Sequence, residues 1–253
     1  MHAIILAGGN GVRLRSVTDA VPKALASVGD QPILEVIVRQ LREAGFSRVT
    51  LCVSYRSEMI QEALGDGTRF GLAIDYCRDT TPLGTAGPLR LVTDWSMAAL
   101  VMNCDILTSV DLAGLVRAHR DSGAMLTVGY RLCCVPVDFG MLEMSANGKV
   151  NGIREKPSIE VEAASGIYAA DPQVRNYLPE DKPMDMPELI NTLTGQDHLV
   201  RAVRLSGLWH DIGTPERYGV AKRAYSGNPD AFLNCRFTPE GPQQRGTGEP
   251  ERS

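Results

Sequence analysis

The first half of the chain alternates between two kinds of hydrophobic pattern. Ala3-Ile4-Ile5-Leu6 is a continuous apolar run, the mark of a strand buried on both faces, and glycines follow at once. Pro32 stands where a helix can start, and Ile33, Val36, Ile37, Gln40 and Leu41 carry helical spacing to a stop at Gly45, with Glu35 and Arg39 as a supporting i,i+4 pair. Arg48–Val53 reads as the next strand, Ser57–Leu64 as a helix closed by Gly65, and Leu72–Cys77 as a third strand. Pro82-Leu83-Gly84-Thr85-Ala86-Gly87 is a glycine-bearing turn that opens a helix through Leu91. Ala98–Met102 is a fourth, wholly apolar strand ending in Asn103-Cys104-Asp105. Strands of this kind alternating with helices predict an α/β fold with a mainly parallel sheet covered on both faces. In such sheets ligands bind beyond the carboxyl ends of the strands, where Gly8–Gly11, Gly84–Gly87 and Asp105 all fall.

The second half changes character. Met125–Arg131 and Gly140–Met144 read as strands, and Asn147-Gly148 is a hairpin turn into Val150–Arg154. Ala163–Ala169 is a further strand, followed by helical stretches near Pro172–Leu178 and Pro187–Leu193. Leu199–Arg204 and Leu208–Ile212 read as short strands and Pro215–Tyr225 as the last helix. The expectation is one domain over 1–225, with a nucleotide-binding half to about residue 123 and a mixed or antiparallel extension over 124–225 for a second substrate. From Ser226 on, Pro, Gly, Gln and charged residues dominate apart from Phe232, Leu233 and Phe237, which predicts a weakly ordered tail over 226–253.

Composition narrows the partners. A net charge of −4 over 253 residues argues against nucleic acid or an anionic membrane surface as the main partner, though a few local cations could hold an anionic substrate. No apolar stretch approaches a membrane-spanning length, and the opening residues lack the basic leader of a signal peptide. The six cysteines show no CxxC spacing and mostly sit in apolar, strand-like runs, so they read as reduced thiols in a cytoplasmic protein. A homo-oligomer is left open.

The chemistry concentrates in Leu6–Leu25, LAGGNGVRLRSVTDAVPKAL. A strand that ends in Gly8, Gly9 and Gly11 lets backbone N–H groups approach an anion closely, and Arg13 and Lys23 supply two cations. The loop is neither of the two best-known phosphate loops. Leu14 stands where a dinucleotide fingerprint needs its third glycine, and no lysine occupies the Walker position. A plain tight turn after a strand is the bland alternative, and for Asp105 it is a cap or turn carboxylate.

The run L-A-G-G-x-G-x-R-L followed by P-K-x-L resembles the signature of the sugar-nucleotide pyrophosphorylases, the nucleoside-diphospho-sugar nucleotidyltransferases. Pro82–Gly87 is similar to that family's base-binding turn and Asn103–Asp105 to its metal-binding strand end. Phe139-Gly140, Glu155-Lys156-Pro157, Ser165–Tyr168 and Trp209–Pro215 resemble its sugar-side motifs, in the family's order, so the likeness runs from Ala3 to about Tyr225. It implies a glycosyltransferase-A-like, Rossmann-like nucleotidyltransferase fold with a smaller sugar-side extension. It also implies NTP and a sugar 1-phosphate as substrates, and Mg²⁺ as cofactor. The nucleotide would rest on Leu6, Ala7, Gly8, Gly9, Gly11, Arg13, Lys23, Pro82, Gly84, Thr85 and Ala86. Gly140, Glu155, Lys156, Ser165 and Gly166 would take the sugar phosphate. Arg13, Lys23 and Asp105 would carry catalysis, and Asp105 with Asp211 would hold the metal, a hard cation that takes one or two carboxylates plus phosphates. Several positions depart from the family's habit. Ser16 replaces a frequent proline, Cys104 a glycine, Thr81 an acidic residue and Ser165 an asparagine, and the last puts sugar-hydroxyl contacts there in doubt. His210 neighbours Asp211 but points to the opposite side of a strand and is not read as a ligand.

The resulting reading is in-line attack of the sugar phosphate on the NTP α-phosphorus with release of pyrophosphate. R-L-R-S-V and V-P-K are similar to heptose- and mannose-type guanylyltransferases, which puts GTP first and leaves UTP, dTTP and CTP open. The alternatives are a cytidylyltransferase acting on a phosphocholine- or phosphonate-like acceptor and a non-catalytic nucleotide-sugar-binding protein.

Overall fold

The computed structural model describes residues 1–9, 21–54, 56–180 and 182–233. β1 (His2–Ala7) opens the fold, and a short hairpin of β2 (Ser27–Val28) and β3 (Gln31–Pro32) leads into α1 (Ile33–Glu43). β4 (Arg48–Val53), α2 (Ser57–Leu64), β5 (Ala73–Arg78), β6 (Ala99–Asn103), β7 (Ile106–Thr108) and α3 (Leu112–Ser122) complete the first half. The second half comprises β8 (Leu126–Pro136), β9 (Met141–Met144), β10 (Val150–Arg154), β11 (Ser158–Ala170), α4 (Met186–Gly195), β12 (Val200–Arg204), β13 (Trp209–Asp211), α5 (Pro215–Gly227) and α6 (Asp230–Leu233).

Seven strands form one sheet in the order β12-β8-β11-β6-β1-β4-β5. β1 runs parallel to both β4 and β6, and β4 to β5, while β11 is antiparallel to β6 and β8. Side chains of β1 alternate between two cores, as the pleat requires. Ala3, Ile5 and Ala7 pack with α1 and α3 on one face, and Ile4 and Leu6 pack with α4 on the other. The all-apolar run is therefore what a strand with two buried faces needs. The chain leaves β1 toward β4 on one side and returns to β6 on the other, so the strand order reverses at the carboxyl end of β1, where open α/β sheets form their binding crevice.

The expected elements recur with instructive differences. The helix predicted through Leu91 is only a 3₁₀ turn, Gly87–Leu91, with Pro88 near its start and Val92 already extended. β8 and β11 run well past the expected strands and pair from Ser158↔Pro136 to Ala170↔Leu126 as a long antiparallel ribbon. Its outer part is exposed, and alternating residues such as Glu160-Val161-Glu162 suit a two-stranded ribbon in water. α3 is an element beyond those expected. Asp111 caps it by accepting the Gly114 N–H at 2.7 Å, and Leu112, Leu115, Val116 and His119 turn inward. Among the described residues no helix is long and apolar enough to cross a membrane.

The predicted tail also needs correcting at its start. α5 continues to Gly227, α6 follows, and Phe232 is fully buried in the core that holds α1. Gln40 on α1 donates through Nε2 to the carbonyls of Thr108 and Phe232, the latter at 2.6 Å, so one buried amide ties the strand end, the helix and the C-terminal turn together. An aromatic side chain and a matched carbonyl outweigh the surrounding disorder-prone composition. Residues 234–253 lie outside the described residues. Phe232→Ala is expected to lower the unfolding free energy by about 3–5 kcal/mol in a denaturant titration, and a loss below about 1 kcal/mol would count against this anchoring.

Candidate active site

The carboxyl ends of β1, β4, β5 and β6 border a cleft of about 1000 Å³ that holds Gly8, Lys23, Asp79, Gly84, Thr85 and Asp105. At its deep end Ser54 donates its hydroxyl hydrogen bond to the Gly8 carbonyl. A side chain on Gly8 would put its Cβ 3.3 Å from Ser54 Oγ and 3.5 Å from Asp79 Oδ2, so glycine keeps this end open. Asp79 follows β5, its N–H bound to the Val53 carbonyl at 3.1 Å. Asp79 is 9% exposed as a residue, and its Oδ1 has no partner. Burial raises its pKa above the ordinary carboxylate value. A buried, half-satisfied acceptor facing a cleft is the sort of group a ligand completes.

At the other end Lys23 and Asp105 form an ion pair between Nζ and Oδ2, with side chains 13% and 26% exposed. Pro22 is extended and the chain tightens into a 3₁₀ turn over Lys23–Leu25, which aims the lysine inward. Asp105 follows β6, and its carbonyl accepts the Ile212 N–H at 2.9 Å, beside the Asp211↔Ile106 register pair of β13 and β7. Cys104 packs into the core, and burial pushes its thiol up to about 12. Asp211 accepts the Gly213 N–H at 2.9 Å and the Arg217 guanidinium at 2.9 and 3.2 Å. A Cβ on Gly213 would lie 2.7 Å from Asp211 Oδ1 and 3.9 Å from Lys23 Nζ, so both charged groups border one spot.

The turn over Pro82–Gly87 is held from outside. Gly84 has φ +77°, and a Cβ there would meet the Met184 carbonyl oxygen at 2.4 Å. That same oxygen accepts the N–H groups of Ala86 and Gly87 at 2.9 and 3.1 Å. Thr85 donates its N–H and hydroxyl to Asp185 Oδ1 at 2.9 and 3.1 Å and accepts the Met186 N–H at 2.9 Å. Ala86 is fully buried. The Thr85 side chain therefore fixes the turn, and the free groups of the turn are backbone ones.

On the acceptor side Gly166 has φ +74°, and a Cβ there would sit 2.7 Å from Ile106 Cδ1 and 2.8 Å from Asn103 Nδ2. Ser165 is 1% exposed. Its hydroxyl donates to the Gly129 carbonyl at 2.7 Å and accepts the Ile167 N–H at 3.3 Å, and its own carbonyl accepts Trp209 Nε1 at 3.0 Å. The serine at this family position thus shapes the irregularity in the β11–β8 pairing between Ala164 and Tyr168. Glu155 lies beside Gly140, with its Oε2 3.1 Å from the place of a Gly140 Cβ, and Lys156 takes a left-handed φ of 43° in the turn before β11. Gly140, Glu155 and Lys156 are exposed, apart from the buried cleft floor. Leu6, Gly8, Gly9, Lys23, Pro82, Gly84, Thr85 and Asp105 line the cleft, Ala7 and Ala86 are buried in the cores beside it, and Gly11 and Arg13 lie outside the described residues.

Sequence reasoning missed Asp79, Ser54, Asp185 and Arg217. Asp79 carried one readable signal, an acid directly after a strand, the same position that singled out Asp105. Among the described residues no group of three His, Cys, Asp or Glu side chains could hold a metal. The two carboxylates Asp105 and Asp211 nonetheless suit Mg²⁺, which keeps several waters and takes the rest of its oxygens from phosphates.

Strand ends, a glycine-lined cleft and paired charges place the site where open, mainly parallel α/β sheets bind their ligands. Residues 2–227 match the Nucleotidyl transferase family, and the chain belongs to it. It is 33% identical over 226 residues to mannose-1-phosphate guanyltransferase beta-B of Xenopus laevis, covering 86% of this chain and 62% of the relative. It is 31% identical over 245 residues to the UTP–glucose-1-phosphate uridylyltransferase of Synechocystis, covering 88% and 63%. The crystal structure of HddC from Yersinia pseudotuberculosis complexed with GMP-PN superposes with a TM-score of 0.68 at 25% identity, covering 88% of this chain and 99% of that one. The chain thus spans a little under two thirds of the length of the curated relatives it matches. The mainly parallel α/β fold and the sugar-nucleotide pyrophosphorylase resemblance both stand.

Gly84→Ala is expected to weaken NTP binding by roughly tenfold or more in titration calorimetry while the protein stays folded by circular dichroism. Unchanged affinity would mean that the turn does not touch the nucleotide.

Proposed function

We propose that this chain is a sugar-1-phosphate nucleotidyltransferase that joins GTP to a sugar 1-phosphate and releases pyrophosphate. The observation that carries the reading is a buried Asp79 carboxyl whose Oδ1 has no partner, in the same cleft as the Lys23–Asp105 pair. A carboxylate repels phosphate, so the Asp79 end suits the base. Guanine offers two adjacent donors, N1–H and N2–H₂, which a carboxylate can accept as a pair. Cytosine and adenine offer one amino group, and uracil or thymine pairs better with a group that both donates and accepts. The HddC structure complexed with GMP-PN and the guanyltransferase relative support the same choice.

The acceptor phosphate is ionised at neutral pH, so it attacks the α-phosphorus without a general base, and the bond to pyrophosphate breaks in line. Lys23 neutralises charge on the transferring phosphates as its pairing with Asp105 gives way. Asp105, and Asp211 as it shares its carboxylate with Arg217, are the residues that would hold Mg²⁺, which when bound supplies positive charge to the phosphates. By family resemblance Gly11 and Arg13 join the phosphate cradle. Glu155, Lys156, Gly140 and Gly166 receive the sugar phosphate, with Lys156 as the cation for its phosphate. The described cysteines are thiols rather than disulfides, which supports a reducing, cytoplasmic setting.

A matrix of NTPs against hexose and heptose 1-phosphates, read by pyrophosphate release, should show turnover first with GTP. Intact GTP binding without release would point instead to a binding protein. Asp79→Asn should cost about tenfold to a hundredfold in kcat/KM for GTP and much less for UTP, and equal losses for both would sink the base assignment. The pH dependence gives a second check. Because burial raises the Asp79 pKa, GTP affinity should rise as pH increases through that pKa and then level off, whereas a uracil base held by the protonated acid would show the opposite trend.

A further inference from the structure

We propose that Cys52 and Cys77 form a redox-active dithiol whose oxidation to an intrachain disulfide weakens nucleotide binding. The pair follows from register. Leu6 on β1 faces Cys52 on β4, and Cys52 faces Cys77 on β5, all in parallel pairing. Partners on neighbouring strands lie about 4.7–4.9 Å apart, inside the Cα separation of about 4.4–6.8 Å that a disulfide spans. The two sulfurs are 3.2 Å apart and share one hydrogen bond. Cys77 donates that bond to Cys52 Sγ, and when the more accessible Cys77 ionises, the Cys52 thiol can donate back, which holds the Cys77 pKa below the ordinary thiol value while the same bond and burial hold Cys52 above it.

The location links the dithiol to the cleft. Strand side chains alternate, so residues two further along lie on the same face. Two steps beyond Leu6, Cys52 and Cys77 come Gly8, Ser54 and Asp79, the deep end of the cleft, where Ser54 binds the Gly8 carbonyl. Cys52 also contacts the Pro88 carbonyl at 3.9 Å and packs with Ala86 and Leu89 of the turn that borders the same space. Bond formation requires the two sulfurs to approach by about 1 Å. The strand pair would shift directly beneath Ser54 and Asp79. This coupling rests on the reading of that end as the base site, whereas the dithiol itself does not.

The chemistry needs a two-electron oxidant, and a peroxide suffices. The Cys77 thiolate attacks one peroxide oxygen, the O–O bond breaks to give a sulfenic acid, and the departing hydroxide takes up the proton that Cys77 released on ionising, giving water. Cys52 then attacks the sulfenic sulfur, the S–O bond breaks, and a second water leaves with the Cys52 proton. Two thiols are oxidised and the peroxide is reduced.

Hydrogen peroxide treatment followed by tryptic mapping tests the bond. Peptides 49–56 and 70–78 should appear joined, 2 Da below their summed thiol masses, and separate after dithiothreitol. The Kd for GTP and for UTP, measured on the same samples, should rise at least roughly threefold for whichever nucleotide binds, and recover on reduction. Cys77→Ser and Cys52→Ala should bind nucleotide as the reduced protein does and ignore the peroxide. Oxidation of the exposed Cys134 with no 49–56/70–78 link would overturn the dithiol. A full link with unchanged Kd would overturn its coupling to the cleft. If the reduced protein binds UTP and not GTP, the guanine reading falls, while the peptide map and the UTP affinity still decide the present proposal.

Discussion

β1 is paired on both edges and buried on both faces, and that constraint governs everything around it. A strand so enclosed offers a ligand only the groups at its carboxyl end. There the parallel neighbours β4, β5 and β6 end as well, and they deliver polar residues to the cleft, among them Ser54, Asp79 and Asp105. Parallel register places them side by side, because neighbouring strands of this kind finish at the same level. Gly8 is the complement, since any side chain at that point would fill the space its neighbours share.

The charged groups of the site are already partnered without substrate. Lys23 sits on Asp105 and Arg217 on Asp211, so neither carboxylate faces the low-dielectric side of the cleft uncompensated. Partly buried ions cost several kcal/mol each when unpaired, and these pairs remove most of that penalty while leaving the partners exchangeable. Asp79 differs. Burial raises its pKa, and the Ser54 hydroxyl rather than a cation partly offsets that shift.

Much of this was legible in the residues. Apolar runs marked the central strands, Gly45 and Gly65 marked helix ends, and the position of Asp105 after a buried strand marked the cleft. The contacts between Lys23 and Asp105, 82 residues apart, depend on how strands are ordered in the sheet, which periodicity does not reveal. The long β8–β11 ribbon was obscured because its outer residues meet water on both faces and keep little hydrophobic contrast. Phe232 was read with its neighbours, and only the three-dimensional position of Gln40 explains why it leaves the tail and enters the core. Asp79 was passed over because an acid before Thr-Thr-Pro looks like ordinary turn chemistry until its burial is known.

The connection between the two halves bears on how an in-line reaction could be held. β11 pairs with β6 through Ile167↔Met102, one residue after Gly166 and one before Asn103. A Cβ on Gly166 would strike Asn103, so the backbone at Gly166 is packed against the strand end that leads to Asp105. Trp209 binds the Ser165 carbonyl and is covered by Arg131 at 4.7 Å, and two residues later the same strand presents Asp211. β13 pairs with β7 in a two-stranded sheet of its own, so Asp211 is tied to this region by the Ile212 N–H on the Asp105 carbonyl and by Trp209 on the Ser165 carbonyl. Holding two reactants at a set separation removes much of the entropic barrier to their reaction. Phosphoryl chemistry asks the protein for alignment and charge more than for covalent participation, and these hydrogen bonds between the two sheets supply alignment.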